Sequence, residues 1–234
     1  MALPKINTPT FELEVPSTKE KLTYRPFLVK EEKLLLLAME TDKEEDMMRA
    51  VKQIINNCTF EKLDLDDLAL FDIEFVFLRI RSKSVGEIVN LKLLCEDDGE
   101  TYADVEINLD DVAVDYPEGH SNKIELDDNV GMLMKYPQFD DAISLTSDSD
   151  TENTFNMIRR SIKQIYDGET LHERTDFNEK ELDEFLESLS SKHFQKMQAF
   201  FETMPRVRHK VKFKNPNTKK NNTVTLEGLN AFFV

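Results

Sequence analysis

The residues able to do chemistry are few in kind and poorly spaced for it. Four histidines, His120, His172, His193 and His209, show no H-E-x-x-H spacing and have no cysteine neighbours to complete a zinc site. Each reads as a surface residue. Asp148-Ser-Asp150-Thr-Glu152 starts like a calcium loop, but Asn153 stands where the sharp turn needs glycine and Arg159 where a bidentate glutamate closes the cage. Paired carboxylates occur at Asp66-Asp67, Asp97-Asp98, Asp110-Asp111 and Asp127-Asp128. They sit in polar runs, whereas acid–base catalysis needs two carboxyls in unlike environments. The six glycines open no helix in a phosphate-cradling G-x-G-x-x-G or G-x-x-x-x-G-K arrangement. No catalytic, cofactor-binding or metal-ligating residue is expected, and no cofactor or small-molecule substrate.

What remains is charge, and it is unevenly placed. The 234 residues carry a formal −16; residues 205–234 hold +6 of opposite sign, which leaves −22 on residues 1–204. An acidic body repels nucleic acid phosphates and anionic lipid headgroups, so neither nucleic acid nor membrane is expected as a partner. The longest apolar run, Leu34 to Met39, is six residues, far short of the ~20 that cross a bilayer. Only Cys58 and Cys95 are present and the N-terminus has no basic-then-apolar signal pattern, so a reducing compartment without disulfides is expected.

The basic residues of the tail alternate. Arg206, Arg208, Lys210, Lys212 and Lys214 take the even places, and Val207, His209, Val211 and Phe213 the odd ones, which predicts a strand with one basic and one largely apolar face. That face, with the closing Phe232 and Phe233, is the candidate partner-binding surface. The competing reading is a solvated edge strand that uses lysine against aggregation.

These residues need elements to hold them. Phe11, Leu13 and Val15 alternate with Glu12 and Glu14, Pro16–Lys19 make a turn, and Leu22 and Tyr24 resume, which predicts a first hairpin. Lys30–Met39 and Glu44–Asn56 read as helices, with Cys58 a small apolar group at the second one's end. Leu68–Arg81 is apolar nearly all round, so it should be a central helix, with Phe75 buried and its loss to alanine costing roughly 3–5 kcal/mol. Gly86 ends it. Ile88–Cys95 and Thr101–Leu109, joined by Glu96-Asp-Asp-Gly-Glu100, predict a central hairpin with one apolar face.

Residues 110–135 read as loop and short strand, and the Ser/Asp-rich 146–150 as a linker. Beyond it Phe155, Ile158, Ile162 and Ile165 share a helical stripe that stops at Gly168. Asn178 caps a further helix with Glu181 reaching back, and Phe194–Phe201 mark a last helix that Pro205 stops. Thr223–Leu226 returns against the basic strand after the Asn215-Pro-Asn-Thr turn. The expectation is an α+β protein, mostly helical, with N-terminal, central and C-terminal antiparallel hairpins, in two parts: 1–145, and 151–234 ending in the basic hairpin.

Several segments together are familiar. Tyr24-Arg-Pro-Phe-Leu-Val-Lys-Glu-Glu-Lys33, Phe75-Val-Phe-Leu-Arg-Ile-Arg-Ser-Lys-Ser-Val-Gly86, Val105-Glu-Ile-Asn-Leu109, Met134-Lys-Tyr-Pro137 and Thr225-Leu-Glu-Gly-Leu-Asn-Ala-Phe-Phe233 occur in an order that resembles the baseplate hub subunit family of T-even-like contractile-tailed bacteriophages. The resemblance implies a non-enzymatic part in building the tail baseplate hub. Its partners would be other phage tail and baseplate proteins, met in the host cytoplasm during assembly, with the virion tail baseplate as the final address. A transient assembly chaperone and an acidic DNA-mimicking inhibitor are the alternatives. The resemblance also implies degenerate, metal-free zinc-ribbon-like hairpins: relatives carry C-x-x-C at such a turn, where here Cys95 stands first and Asp98 second, and residues 215–222 hold no cysteine. One thiol cannot build a four-ligand site, so packing and turn chemistry must supply the shape.

Overall fold

The computed structural model describes residues 6–41, 43–143 and 149–232, and the chain divides into two compact units. One comprises Met1–Asp115 with Arg206–Val234, the other Tyr116–Pro205. The class is α+β, as the sequence predicts. The division lies elsewhere than expected: the sequence places a break at 146–150, of which 146–148 lie outside the described residues, whereas the units exchange chain at 115/116 and 205/206. The cause is a long-range strand pairing between the C-terminal hairpin and residues 113–115, which no local composition reveals.

The first unit begins with β1 (Phe11–Glu14) and β2 (Lys21–Tyr24), antiparallel in the register Phe11↔Tyr24 to Glu14↔Lys21. Three helices follow, α1 (Val29–Glu40), α2 (Glu44–Cys58) and α3 (Leu70–Val85), with α1 on α2 and α2 on α3. Helix α3 is the central element, burying Phe71, Ile73, Val76, Phe77, Leu78 and Ile80. Phe75 is not among them. It is only partly buried, with the Arg79 guanidinium 4.6 Å from its ring centroid, so the large truncation cost belongs to the fully buried Phe77 instead. Phe75 and Phe77 lie about 200° apart on the helix, each among apolar neighbours, and only the packing decides which of the two faces is enclosed. Gly86 ends the helix at φ 108°, a conformation that side-chain-bearing residues avoid. Strands β3 (Ile88–Leu94) and β4 (Tyr102–Asn108) then pair from Ile88↔Asn108 to Leu94↔Tyr102, and the short β5 (Ala113–Asp115) follows a single 3-10 turn.

The second unit is a four-stranded antiparallel sheet with helices. In chain order it runs β6 (Lys123–Glu125), β7 (Val130–Met134), α4 (Phe139–Ile143), α5 (Asp150–Ser161), β8 (Ile162–Asp167), β9 (Thr170–Glu173), α6 (Glu179–Ser188) and α7 (Ser191–Thr203), with sheet order β6-β7-β8-β9. Ile124, Met132, Ile158, Ile162, Leu182, Met197 and Phe200 belong to its core. The expected helical stripe to Gly168 breaks here: the helix stops at Ser161 and Ile162–Asp167 is strand. The offsets of four and three between Ile158, Ile162 and Ile165 fit a helix; in the strand Ile162 and Ile165 are both buried because the β7–β8 register shifts at Leu133/Met134. Two features favour the strand: Asp167-Gly168 turns the chain at φ 59° into β9, and β7 offers an edge on the other side. Tyr166 lies across Gly131 of β7, where a Cβ would meet the tyrosine hydroxyl at 2.1 Å. The caps are as expected at Asn178 with Glu181, and Ser190 caps α7 in the same way.

The chain then returns to the first unit as β10 (Arg206–Lys214) and β11 (Asn221–Glu227), giving the sheet order β11-β10-β5, and closes in a 3-10 turn, Leu229–Phe232. All three hairpins of this unit share one turn. The amides of Lys19, Gly99 and Lys219 bond back to the carbonyls of Val15, Cys95 and Asn215, four residues earlier, at φ between 61° and 70°. The anchor residue is fully buried each time. An apolar group, a thiol and an amide thus fill equivalent places.

Candidate interface on the C-terminal hairpin

Strand β10 carries its basic residues as the alternation predicts, but they divide into two sets. Arg208 Nε donates to Glu227 Oε2 at 2.7 Å, Arg206 pairs with Glu227 Oε1, and Arg208 also lies 3.6 Å from Asp115. Arg206 and Arg208 are therefore half-buried and committed to their own sheet. Lys210, Lys212 and Lys214 are exposed, and their cross-strand neighbours on β11 are Thr225, Thr223 and Asn221. No ion-pair partner faces these three among the described residues. The lysines form one row because strand side chains alternate, and the opposite row, Val207 and Val211, is buried.

The two aromatic residues of the candidate surface fare differently. Phe232 is fully buried, held by the closing turn, so it serves the core. Phe233 lies outside the described residues. The turn is anchored by the Leu229 amide, which donates to Glu74 Oε1 on α3 at 3.2 Å. Burial and the nearby Glu227 push the Glu74 carboxyl up to about 7, against the pull of the Leu229 amide and Arg206.

At the far end of the hairpin the β10–β11 turn meets the β3–β4 turn. The Asn215 amide donates to Asp97 Oδ1 at 2.9 Å and Asp98 Oδ2 at 2.8 Å, and the Asn222 amide donates to Asp97 Oδ1 at 2.8 Å. Thr218 Oγ1 donates to Asp97 Oδ2 at 2.5 Å, and the Asp97 amide donates back to Asn222 Oδ1 at 3.1 Å. These donors hold the Asp97 carboxyl below its ordinary range, Thr218 foremost. The Thr101 amide and hydroxyl, with Asn215, do the same for Asp98. Cys95 is buried beneath, its thiol pushed up by burial and by the two aspartates.

This donor set does not suit zinc. Cys95 is the single soft ligand, it is disfavoured as thiolate, and Asn215 already turns its N–H groups to the carboxylates. A hydrogen-bonded clasp does the cross-linking that a metal would do in a four-cysteine ribbon. Sequence reasoning set Cys95 and Asp98 at the ligand-like positions, named Asp97 as one of a carboxylate pair and Asn215 and Thr218 as turn residues, and foresaw no bonds between the two turns. The available signal was spacing, since Asn215-x-x-Thr218 repeats the interval of Cys95-x-x-Asp98.

Glu31 is likewise occupied within the fold. Glu31, with its side chain fully enclosed, accepts from Arg25 Nη2 at 2.9 Å, from the Leu28 amide at 2.9 Å and from Asn57 at 3.3 Å, and lies 3.2 Å from Lys30. Burial alone would raise its carboxyl; these partners, Arg25 foremost, bring it below the ordinary value. His120 is half-buried rather than a plain surface residue, its ring 5.2 Å from Phe200 and 5.6 Å from Tyr136, and burial lowers its pKa. An open pocket of about 400 Å3 in the second unit is lined by Lys123, Glu125, Asp127, Asp128, Tyr166 and Lys196. Glu125 and Tyr166 raise the Lys123 pKa, which keeps its ammonium charged and unsuited to act as base or nucleophile.

The polar groups described above cross-link the chain's own hairpins or face outward from β10. The family described as T4 bacteriophage base plate protein matches residues 8–234, and the chain belongs to it. Its role is that of a phage baseplate-associated structural or assembly protein, interacting with other phage tail or baseplate proteins. No curated protein and no solved structure matches the chain. No helix among the described residues is long and apolar enough to cross a membrane.

Proposed function

We propose that this baseplate protein is a hub subunit that joins the baseplate by docking an acidic surface of a neighbouring subunit on the row Lys210, Lys212 and Lys214. One observation carries the reading: on a chain of net −16, three lysines stand in line, exposed, opposite uncharged residues of β11, while Arg206 and Arg208 on the same strand are matched by Glu227. Charges already matched within the fold have little left to offer a partner; an unmatched row steers and orients one. Assembly takes place in the host cytoplasm and the protein stays in the tail.

Charge reversal by Lys210→Glu with Lys212→Glu tests the surface. Capture of baseplate subunits should fall at least tenfold at low salt with the melting temperature nearly unchanged, because exposed charges contribute little to folding. Undiminished capture removes the lysine row. Probing finished tails with an antibody to the chain tests retention: a hub subunit is present there, whereas an assembly chaperone is found only in intermediates.

A further inference from the structure

Strand β11 is one edge of the sheet β11-β10-β5. The Asn215 amide donates to the Lys220 carbonyl at 2.9 Å and the Gly228 amide to the Val207 carbonyl at 3.2 Å, at the two ends of the ladder with β10. In that register Asn222, Val224 and Leu226 exchange bonds with β10, while Asn221, Thr223 and Thr225 turn their amides and carbonyls outwards. No hydrogen bond takes up these outward groups among the described residues. Such an edge invites another strand, and folds blunt it with charge, proline or shortness. The other edges of this unit are blunted. β5 has three residues, and the outward positions of the two earlier hairpins include Glu12, Glu14, Lys21, Lys92, Asp104 and Glu106. β11 runs for seven residues with neither proline nor glycine, and its one charge, Glu227, is matched by Arg206 and Arg208.

The lysine row says what kind of strand fits. Lys210, Lys212 and Lys214 share a face with Thr225, Thr223 and Asn221, their direct neighbours on β11. A strand added beyond β11 would lie about 10 Å from β10 with only these small side chains between, so a lysine and an acidic side chain can meet across them. Antiparallel pairing with a second copy about a two-fold axis would instead set two lysine rows on one face and bring together two chains of −16. We propose that β11 takes an added strand from another baseplate subunit, an extended segment with aspartate or glutamate at every second position alongside the lysine row. This rests on the proposed docking at that row and specifies the partner's form: main-chain bonds to β11 hold the segment and the lysines select it.

Residue-resolved hydrogen exchange of the full chain tests it. In the free protein the Thr223 and Thr225 amides should exchange fast and those of Val224 and Leu226 slowly, because only the latter pair is bonded to β10. With baseplate subunits captured on the chain, Thr223 and Thr225 should slow by roughly tenfold or more. Thr225→Pro removes an outward amide and no ladder bond, so it should cut capture roughly tenfold, whereas Thr225→Ala keeps the amide and should leave capture nearly unchanged. The exchange result stands whether or not the proline variant folds. Fast exchange at both threonines in the bound chain overturns the added strand; if capture still falls on Lys210→Glu with Lys212→Glu, docking at the lysine row survives alone. Capture that ignores the lysine reversal removes that docking and the acidic partner with it. Protection that grows with concentration in the free chain identifies a second copy as the occupant and likewise overturns the inference.

Discussion

The first unit treats its positive charges in two opposite ways. Under α1 the Arg25 side chain is 11% exposed and the Glu31 side chain 0%, and the pair shares its surroundings with the Leu28 amide and Asn57. On β10 the lysines at 210, 212 and 214 stand in solvent beside threonine and asparagine. The enclosed pair holds the first hairpin to the helices, since Arg25 leads out of β2 and Glu31 sits in the first turn of α1. The exposed row has no ion-pair partner among the described residues. An enclosed charge is thus committed to folding and an exposed, unmatched one is available to a partner.

Breaking the enclosed pair should have the largest effect. Arg25→Ala leaves Glu31 as a buried carboxylate without its guanidinium and should cost about 3–5 kcal/mol in denaturant unfolding. A cost under about 1 kcal/mol would mean that water reaches Glu31 and the contrast with the lysines is false.

Glu74 sharpens the comparison because it is a half-buried carboxylate held mainly by one amide. Its folded pKa of about 7 lies above the ordinary 4.5, so its contribution is fully present below pH 4.5 and is lost as pH rises towards 7. Glu74→Gln keeps an acceptor for Leu229 and should remove that slope, stabilising the chain at pH 8 by up to about 3 kcal/mol. Stability curves of the two proteins that run parallel from pH 4.5 to 8 would refute the assignment.

The clasp between the turns is intermediate. Asn215→Ala removes a buried amide that serves Asp97, Asp98 and the amides of Asn217 and Thr218, and should cost about 1–3 kcal/mol. The folded pKa values of Asp97 and Asp98 are lowered, so their contribution is present above the ordinary 3.8 and lost as pH falls below it, the reverse of Glu74. An acid titration of the Asn215→Ala variant should show a weaker loss than the parent, measured by circular dichroism. The smallest change in stability, within about 0.5 kcal/mol, is expected for the lysine reversal, and there the partner measurement carries the result.

Much of the first unit was legible in the residues. Alternation placed β1, β2, β3, β4 and β10, composition placed α1, α2 and α3, and Gly86 and Pro205 marked where helices stop. These features are local, with a period of two or 3.6 that neighbouring residues write by themselves. Legibility failed where a helix-like spacing ran on into an irregular strand, as at Ile158–Ile165, and where two rings of one helix competed for the interior, as at Phe75 and Phe77.

Among the candidate partner residues, sequence located the whole basic row but could not separate its members. Arg206 and Arg208 are set apart from the lysines by Glu227, 21 and 19 residues further along the chain and opposite only because β10 and β11 pair in one register. Phe232 was offered to a partner and is instead enclosed. The sequence by itself determined most elements of the first unit and the charge alternation of β10. Tertiary structure decided which charges are spent inside the fold, how two turns lock without a metal, and where the units divide. Those outcomes depend on side chains far apart in the chain meeting at hydrogen-bond distance, and no local period encodes such a meeting.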